Sequence, residues 1–154
     1  TVDDAARHAV EILETHQGGP ISALVILYAN VPIRPAGLVD RAVALLESSG
    51  ADSVQSYAAV GKHHPYWMVR IDDGHRVEPC HPGAPARRQE LPPLFLPDGG
   101  VIAVRRDALM EGGETPETFL GRDRRAIVNE PGDVIDIDDA ADLAVAAARL
   151  DATS

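Results

Sequence analysis

The chain has 154 residues, a formal net charge of −10 and a hydrophobic content of 45%. This length fits a single domain with its own core, and the acidic balance excludes nucleic-acid binding through a basic surface. No apolar run approaches the ~20 residues of a membrane-spanning helix, so no membrane partner is expected. The single cysteine, Cys80, excludes an internal disulfide framework and indicates a reducing compartment, the cytoplasm.

The first third of the chain alternates predicted helices and strands, an order typical of an α/β domain. The second of these elements is an almost continuous apolar run, which predicts a strand buried on both faces of a parallel sheet. The predicted elements are a helix over 1–16, a strand over 21–28, a helix over 38–49 and a strand over 52–60. The residues predicted to form the buried stripe of the first helix are Ala5, Ala9, Ile12 and Leu13.

The middle of the chain is rich in Pro, Gly, Arg and His and predicts an inserted β-hairpin. Two short strand-like segments flank Asp72-Asp73-Gly74, a typical hairpin turn. The elements predicted beyond it are a turn, strand and short helix over 95–109, a loop over 111–116, a short strand over 125–130, a last strand over 134–137 and a last helix over 139–150.

Several carboxylates stand where the last predicted strand meets the last helix. On a strand, Asp136 and Asp138 share one face, opposite Ile135 and Ile137. Their mutual repulsion can be offset by a hard divalent cation such as Mg²⁺ or by the N-terminus of the helix. Capping explains Asp138 or Asp139 well, but it does not explain Asp136, which lies further back in the strand.

Basic residues offer further candidate binding groups. Arg34 follows a strand at the sheet edge where α/β proteins bind ligands, so it fits either a phosphate or carboxylate ligand or an ion pair with a surface Asp. The segment from Lys62 to Arg88 carries much of the basic charge and suits a small anionic substrate, although a solvated hairpin explains it slightly better. The histidines here and Cys80 lack the paired spacing of a zinc site.

Six short segments carry a family resemblance. They are NVPIR (30–34), ADSV (51–54), HHPYWM (63–68), RRQELPP (87–93), DGGVI (98–102) and VIDIDDAADL (134–143). In this order they resemble the acylneuraminate cytidylyltransferases, the CMP-sialic acid synthetase family, from about Leu24 to Leu143. The resemblance implies a Rossmann-like nucleotidyltransferase sheet, mainly parallel and incomplete at its N-terminus. It also implies one domain over 1–154, with 62–95 as an inserted dimerisation hairpin.

The resemblance implies a reaction in which a hydroxyl of an acidic sugar, sialic acid or a related nonulosonic acid, attacks the α-phosphate of CTP and releases pyrophosphate. The implied catalytic residues are Arg34, Asp136 and Asp138, of which the two aspartates bind Mg²⁺. The implied substrate-binding residues are Tyr28, Asn30, Arg34, Lys62, Arg88, Gln89 and Asp98. In a homodimer, Arg88 is implied to reach the sugar acid of the neighbouring subunit.

The sequence also departs from the family pattern. No segment resembles the phosphate-cradling loop ARxGSKxxPxKN, so we expect the CTP-binding loop to lie outside this chain and the chain alone to be inactive. Tyr28 stands where the family often has Gln, and Asp98 and Ile102 replace the Asn and Tyr of NGAIY, which predicts an altered sugar pocket. The alternative is a non-catalytic truncated homologue, a dimeric sugar-binding or regulatory module. The coding sequence upstream of Thr1 would distinguish the two readings.

Overall fold

The computed structural model describes residues 1–111, 115 and 117–152. Its helices are α1 (Val2–Gln17), α2 (Leu38–Ser49), α3 (Arg106–Glu111) and α4 (Ala140–Asp151). Its strands are β1 (Ala23–Ile26), β2 (Ser53–Ala59), β3 (Val69–Ile71), β4 (Val77–Pro79), β5 (Phe95–Arg105) and β6 (Arg124–Asn129). Within these ranges, no helix combines the length and apolar character needed to cross a bilayer. The loop predicted over 111–116 lies largely outside the described residues.

The central sheet has the strand order β1-β5-β2-β6. β2 and β6 are parallel, and β5 is antiparallel to both β1 and β2, so β1, β2 and β6 all run in one direction. The predicted α/β fold with a mainly parallel sheet is therefore confirmed, with β5 as the reversed strand. The predicted hairpin is present as the separate β3–β4 pair, and its role in dimerisation stays a prediction.

Two hydrophobic clusters cover the two faces of the sheet. Successive β5 side chains point to opposite faces. Ile102 and Val104 therefore pack with α1, α3 and the turn at Leu120, whereas Val101 and Ala103 pack with α2. Each fully buried aliphatic side chain of this kind contributes about 2 kcal/mol. β5 thus joins the two halves of the core.

The buried stripe predicted for α1 was wrong. Ala6 and Val10 are its buried residues, whereas Ile12 and Leu13 are 44% and 40% exposed. The helix packs against α3 and β1, and α3 has only 6 residues, fewer than two turns, so α3 covers only part of α1. Thr1 caps this helix, because its side chain accepts a hydrogen bond from the Asp4 N–H.

Two strand predictions also need correction. β1 is a half-buried strand of 4 residues at the edge of the described sheet, paired with antiparallel β5. The apolar run shows that the segment is core-forming, but it does not show which neighbours the strand will have. The strand predicted over 134–137 is reduced to a single bridge between Ile33 and Ile135. Its partner segment contains Pro32 and Pro35, which lack the N–H groups that a longer ladder requires.

Candidate functional site

The C-terminal ends of β1, β2 and β6 lie at one edge of the sheet, because these strands run in the same direction. Three segments meet there: the loop from Tyr28 to Arg34 after β1, a bulge in β5, and residues 134–138 before α4. We call this the site edge. Ligands of open α/β sheets bind at such an edge.

The bulge lies in the middle of β5. Gln55 pairs with Ile102 and Tyr57 with Pro97, so the single residue Ser56 faces the four residues 98–101. The buried Ser56 hydroxyl accepts the Val101 N–H at 2.9 Å and donates to the Asp98 carboxylate. The hydroxyl thereby replaces ladder bonds that the bulge removes.

Asp98 is held from inside the protein. One carboxylate oxygen accepts from Ser56 and from the Gly100 N–H at 3.0 Å. The other accepts from the Asn129 side-chain amide at 2.7 Å. Both oxygens of this half-buried group therefore already have donors. The predicted substrate contact of Asp98 stays a prediction, and these bonds give it a role within the fold.

Ser56 and Asn129 were missed by the sequence analysis. Ser56 is 0% exposed and Asn129 is 5% exposed. Both face the α2 side of the sheet, as do Val54 and Ile127 on the same strands. A polar residue in phase with buried apolar neighbours was the available signal, because buried polar groups require partners.

Gly99 and Gly100 place the bulge tightly against its surroundings. A Cβ on Gly100 would lie 2.8 Å from the Ser56 Oγ and 3.0 Å from both Leu38 and Val134. Gly99 has a φ of +74° and stands 3.7 Å from an Asp136 carboxylate oxygen, measured from its ideal Cβ position. Larger residues would therefore displace the segments that form the site edge.

Arg34 ties the loop after β1 to the bulge. Its Nε donates to the Gly100 carbonyl at 2.7 Å, Nη2 donates to the Tyr28 carbonyl at 2.7 Å, and Nη1 donates to the Val31 carbonyl. All three bonds go to backbone carbonyls. The sequence analysis predicted an anionic ligand or an ion pair with a surface Asp for Arg34, and neither of these predictions included the carbonyl bonds. Two of the five guanidinium N–H groups remain for a ligand, so the catalytic role of Arg34 stays a prediction.

Asp136 lies at the site edge beside Asn30. The Asn30 side-chain amide donates to an Asp136 carboxylate oxygen at 2.6 Å. The Ile137 N–H donates to the Asn30 carbonyl at 2.9 Å, which fixes the same two segments together. Asp136 is exposed, so it remains accessible to a ligand. The structure thus brings Asn30, Asp136 and the Arg34 loop to one place.

The cap of α4 is Asp139. Its carboxylate accepts the N–H groups of Ala141 and Asp142 at 2.7 and 3.0 Å, and the Asp142 carboxylate accepts those of Asp138 and Asp139. The Asp138 side chain is exposed and takes no part in the cap. Capping therefore accounts for Asp139 and leaves Asp136 and Asp138 to be explained by other chemistry.

Asp136 and Asp138 are both exposed carboxylates, and their predicted binding of Mg²⁺ stays a prediction. The N–H groups of Ile135 and Ile137 donate to the Ile33 and Asn30 carbonyls of the loop after β1, and Asp138 lies in the bend that follows. Across the described ranges, no three His, Cys, Asp or Glu residues gather into a metal-binding group. Two carboxylates suffice where waters and substrate phosphates complete the coordination, as is usual for Mg²⁺.

The remaining predicted residues form a second group, at the base of the insertion over 62–95. Lys62 lies on the turn after β2, and Arg88 and Gln89 lie on a later turn; all three are exposed. Arg88 reaches over Gly61, with 3.8 Å between its Nη2 and the ideal Cβ position. It lines a pocket of about 120 Å³ whose other walls are mostly apolar.

His64 is buried at the base of the insertion, where its ring bonds to two other parts of the insertion. It is 4% exposed, and its Nδ1 accepts the Tyr66 N–H at 3.2 Å. The proton therefore resides on Nε2, which donates to the Pro92 carbonyl at 3.0 Å. The Val60 N–H donates to the Leu94 carbonyl at 3.1 Å next to it. The place of His64 in the HHPYWM segment is thus explained by the structure of the insertion.

The ADSV segment lies at the opposite end of β2 from the site edge. The Asp52 carboxylate accepts the N–H groups of Asp123 and Arg122, which lowers the pKa of Asp52. The Ser53 hydroxyl donates to the Leu120 carbonyl at 2.6 Å. This segment therefore stabilises the turn before β6 and does not contact the candidate site.

Comparison with known proteins bears on these segments. No family model matches the chain. The N-acylneuraminate cytidylyltransferase of Streptococcus agalactiae serotype V is 26% identical over 86 residues, which are 56% of this chain and 21% of that protein. The proteins of the same name from serotypes III and Ia match over the same lengths. The resemblance to the acylneuraminate cytidylyltransferases is confirmed. The match spans about a fifth of the length of these cytidylyltransferases.

The fold is similar to a solved nucleotidyltransferase. The structure of CMP:2-keto-3-deoxy-manno-octonic acid synthetase complexed with CTP superposes with a TM-score of 0.62, covering 100% of this chain and 69% of that chain. The sequence identity is 14%, so this likeness concerns the fold. Together with the cytidylyltransferase matches, it confirms the nucleotidyltransferase fold that the sequence analysis predicted.

Proposed function

We propose that the protein is a cytidylyltransferase that transfers CMP from CTP to an acidic sugar, sialic acid or a related nonulosonic acid, and releases pyrophosphate. The observation that carries the proposal is the pairing of Asn30 with an exposed Asp136 at the site edge. Both residues lie in segments that carry the resemblance to the cytidylyltransferases. Cys80 as the single cysteine agrees with a cytoplasmic enzyme.

The residues have the following roles in this proposal. Asp136 and Asp138 hold Mg²⁺, and Asn30 orients Asp136 by a hydrogen bond. The ion supplies positive charge next to the phosphates, where charge stabilisation dominates the barrier. Lys62 and Arg88 attract the anionic substrates. The remaining substrate contacts are assigned to Tyr28, Gln89 and the free N–H groups of Arg34.

We also propose that this 154-residue chain alone has little activity. Phosphoryl transfer depends on preorganised donors around the phosphates, and losing one such donor costs roughly 3 kcal/mol. The chain contains one lysine, Lys62, and no segment like the phosphate-cradling loop of the family. We expect the full-length protein to be the active form.

A pyrophosphate-release assay tests the proposed reaction. CTP, Mg²⁺ and a panel of nonulosonic acids are supplied to this chain and to the full-length gene product. We expect turnover by the full-length protein that requires an acidic sugar and prefers CTP to other nucleoside triphosphates. Equal turnover with ATP or UTP, or none with any acidic sugar, would contradict the proposal.

The insertion over 62–95 is proposed to form a homodimer, in which Arg88 reaches the site of the neighbouring subunit. Its apolar residues are exposed: Met68 by 50%, Ile71 by 64% and Val77 by 59%. An isolated two-stranded hairpin is marginally stable, so these side chains need a partner surface. We expect sedimentation to show a dimer at micromolar concentration that Ile71→Glu dissociates. Leu143→Glu on α4, 57% exposed in the same chain, is the matched control and should leave the dimer intact.

The alternative function is a non-catalytic, dimeric sugar-binding module. Its supporting observation is that Arg34 and Asp98 are largely occupied by bonds within the protein. Under this reading, the full-length protein binds a nonulosonic acid without CTP and releases no pyrophosphate. Calorimetric titration with the sugar acid alone, beside the turnover assay, separates the two functions.

A further inference from the structure

Asp98 occupies an internal position that a substrate contact does not explain. Its two oxygens accept hydrogen bonds from three groups: the Ser56 hydroxyl, the Gly100 N–H and the Asn129 amide. These donors come from β2, from the bulge itself and from the end of β6. The carboxylate therefore fixes the bulge at 98–101 to β2 and to the end of β6, the strand beyond β2.

On its other side, the bulge contacts the other two segments of the site edge, the loop after β1 and residues 134–138. Arg34 donates to the Gly100 carbonyl and to the carbonyls of Tyr28 and Val31, so the position of the loop after β1 depends on the bulge. That loop includes Asn30, whose amide holds Asp136 at 2.6 Å. Gly99 stands directly against Asp136 as well.

We propose that Asp98, together with Ser56 and Asn129, is a positioning residue for the Asp136 carboxylate. It acts through the bulge, Arg34 and Asn30 and does not itself contact substrate. The metal-binding part of this inference rests on the proposed function. Residues that orient metal ligands affect metal affinity about 10-fold or more when they are changed.

Asp98→Asn disturbs the network in a defined way. If the amide nitrogen replaces the oxygen near Gly100, it faces the Gly100 N–H; if it replaces the other oxygen, it faces the Asn129 amide. The first orientation brings two donors together; in the second, the Asn129 amide has to turn over so that its oxygen accepts. In both, the charge-assisted bonds to the Asp98 carboxylate are lost. In the double variant Asp98→Asn with Asn129→Asp, the amide at position 98 donates to the carboxylate at position 129, and its oxygen accepts from Ser56 and Gly100. The double variant restores every bond and keeps the net charge.

Two measurements report on Asp136 without requiring turnover. The first is the NMR signal of the Asn30 side-chain amide, with Asp136→Ala as the reference for a broken bond. The second is the affinity for Mn²⁺ as a probe of the magnesium site. We expect Asp98→Asn to move the Asn30 signal toward that reference and to weaken Mn²⁺ binding by about 10-fold. The double variant should return both to the wild-type values.

Asp52→Asn is the matched control. Its carboxylate also accepts backbone N–H groups, but it lies at the opposite end of β2. We expect this variant to leave both the Asn30 signal and Mn²⁺ affinity unchanged, even if it lowers the melting temperature. Should Asp98→Asn fail to fold, Ser56→Ala carries the same two expectations.

An unchanged Asn30 signal in a folded Asp98→Asn or Ser56→Ala protein would overturn the inference. So would a double variant that remains as disturbed as Asp98→Asn. If Asp136→Ala binds Mn²⁺ as tightly as the wild type, the magnesium assignment of the proposed function is wrong. The Asn30 signal still decides the positioning role in that case.

Discussion

At one end of β2, Asp52 accepts the N–H groups of the turn before β6 and Ser53 donates to the Leu120 carbonyl. Toward the other end, at Ser56 in the middle of β2, Asp98 and Ser56 make the corresponding bonds to the β5 bulge. The two ends are thus built alike, each with an aspartate and a serine joining neighbouring segments. They differ in what lies beyond these bonds.

At the Asp52 end, these bonds join β2 to the turn before β6, and their role is to stabilise the fold. At the Asp98 end, the same kind of frame supports exposed carboxylates at Asp136 and Asp138. Exposed like charges beside each other oppose folding slightly, and sites that bind ligands commonly retain such a cost. A rigid frame with accessible charge is therefore the feature that distinguishes the site edge.

The largest predicted effect belongs to the Asp52 end. A Cβ on Gly121 would lie 2.3 Å from the Asp52 Cβ, and the backbone there has φ +73° and ψ −166°. We expect Gly121→Ala to lower the free energy of unfolding by about 3 kcal/mol or more in urea titration. Gly132→Ala, with φ +90° and open space around the Cβ, should cost only about 1 kcal/mol. Equal losses in the two variants would show that strain alone, without the clash at Asp52, sets the cost.

The next largest effect belongs to the site edge and concerns turnover. We expect Asp136→Asn to reduce kcat of the full-length protein roughly 100-fold, because the variant removes a proposed Mg²⁺ ligand, while stability changes by less than about 0.5 kcal/mol. Asp139→Asn is the control, since Asn caps a helix as well as Asp does. It should retain both turnover and stability. Wild-type turnover by Asp136→Asn would show that Asp136 at the site edge takes no part in catalysis.

A smaller effect separates two roles of Arg34. If its main role is to tie the loop to the bulge, Arg34→Lys loses about 1–2 kcal/mol of stability, because an ammonium cannot reproduce the planar fork that reaches three carbonyls. If its main role is to bind substrate phosphate, the same variant keeps its stability and mainly raises KM. Thermal unfolding beside steady-state kinetics distinguishes these outcomes. Arg41→Lys, on the exposed face of α2, is expected to change neither.

The elements that were predicted well are those determined by local sequence. α2 has the predicted bounds, because its apolar spacing is regular and Gly50 ends it in the left-handed region. The strand predicted over 134–137 failed, because pairing there depends on the prolines of a distant loop. β1 was recognised as a strand, but its edge position depends on β5, which follows it by about 70 residues.

The residues of the candidate site also fall into those that local sequence predicts and those that depend on distant partners. Asp136 was predicted from alternation along the strand, which is a local property, and its role in the site stays a prediction. The expectation that Asp136 does not cap α4 is correct, because the cap is Asp139. Ser56 and Asn129 were missed because their partner Asp98 lies 42 and 31 residues away and meets them only through a bulge. Register shifts of this kind leave little trace in either strand's own sequence.

The smallest predicted effect is a change in the free energy of unfolding at acid pH, and it concerns the Asp52 end of β2. Hydrogen bonds from the Arg106 guanidinium lower the pKa of Glu14, and N–H groups of Asp123 and Arg122 lower that of Asp52. A carboxylate with a lowered pKa in the folded state stabilises that state above its ordinary pKa and loses this contribution as the pH falls through the folded value. The difference in stability between wild type and Asp52→Asn or Glu14→Gln should therefore be constant from pH 7 to about 5 and shrink below about pH 4.

Urea titrations at several pH values measure this difference. Ser53→Ala is the control from the same end of β2, since it loses a buried hydrogen bond but no titrating group. Its difference from the wild type should stay constant as the pH falls. If the Asp52→Asn difference also stays constant, the charge of Asp52 does not contribute to stability. The bonds at this end would then act only through their geometry, as we propose for those of Asp98 at the site edge.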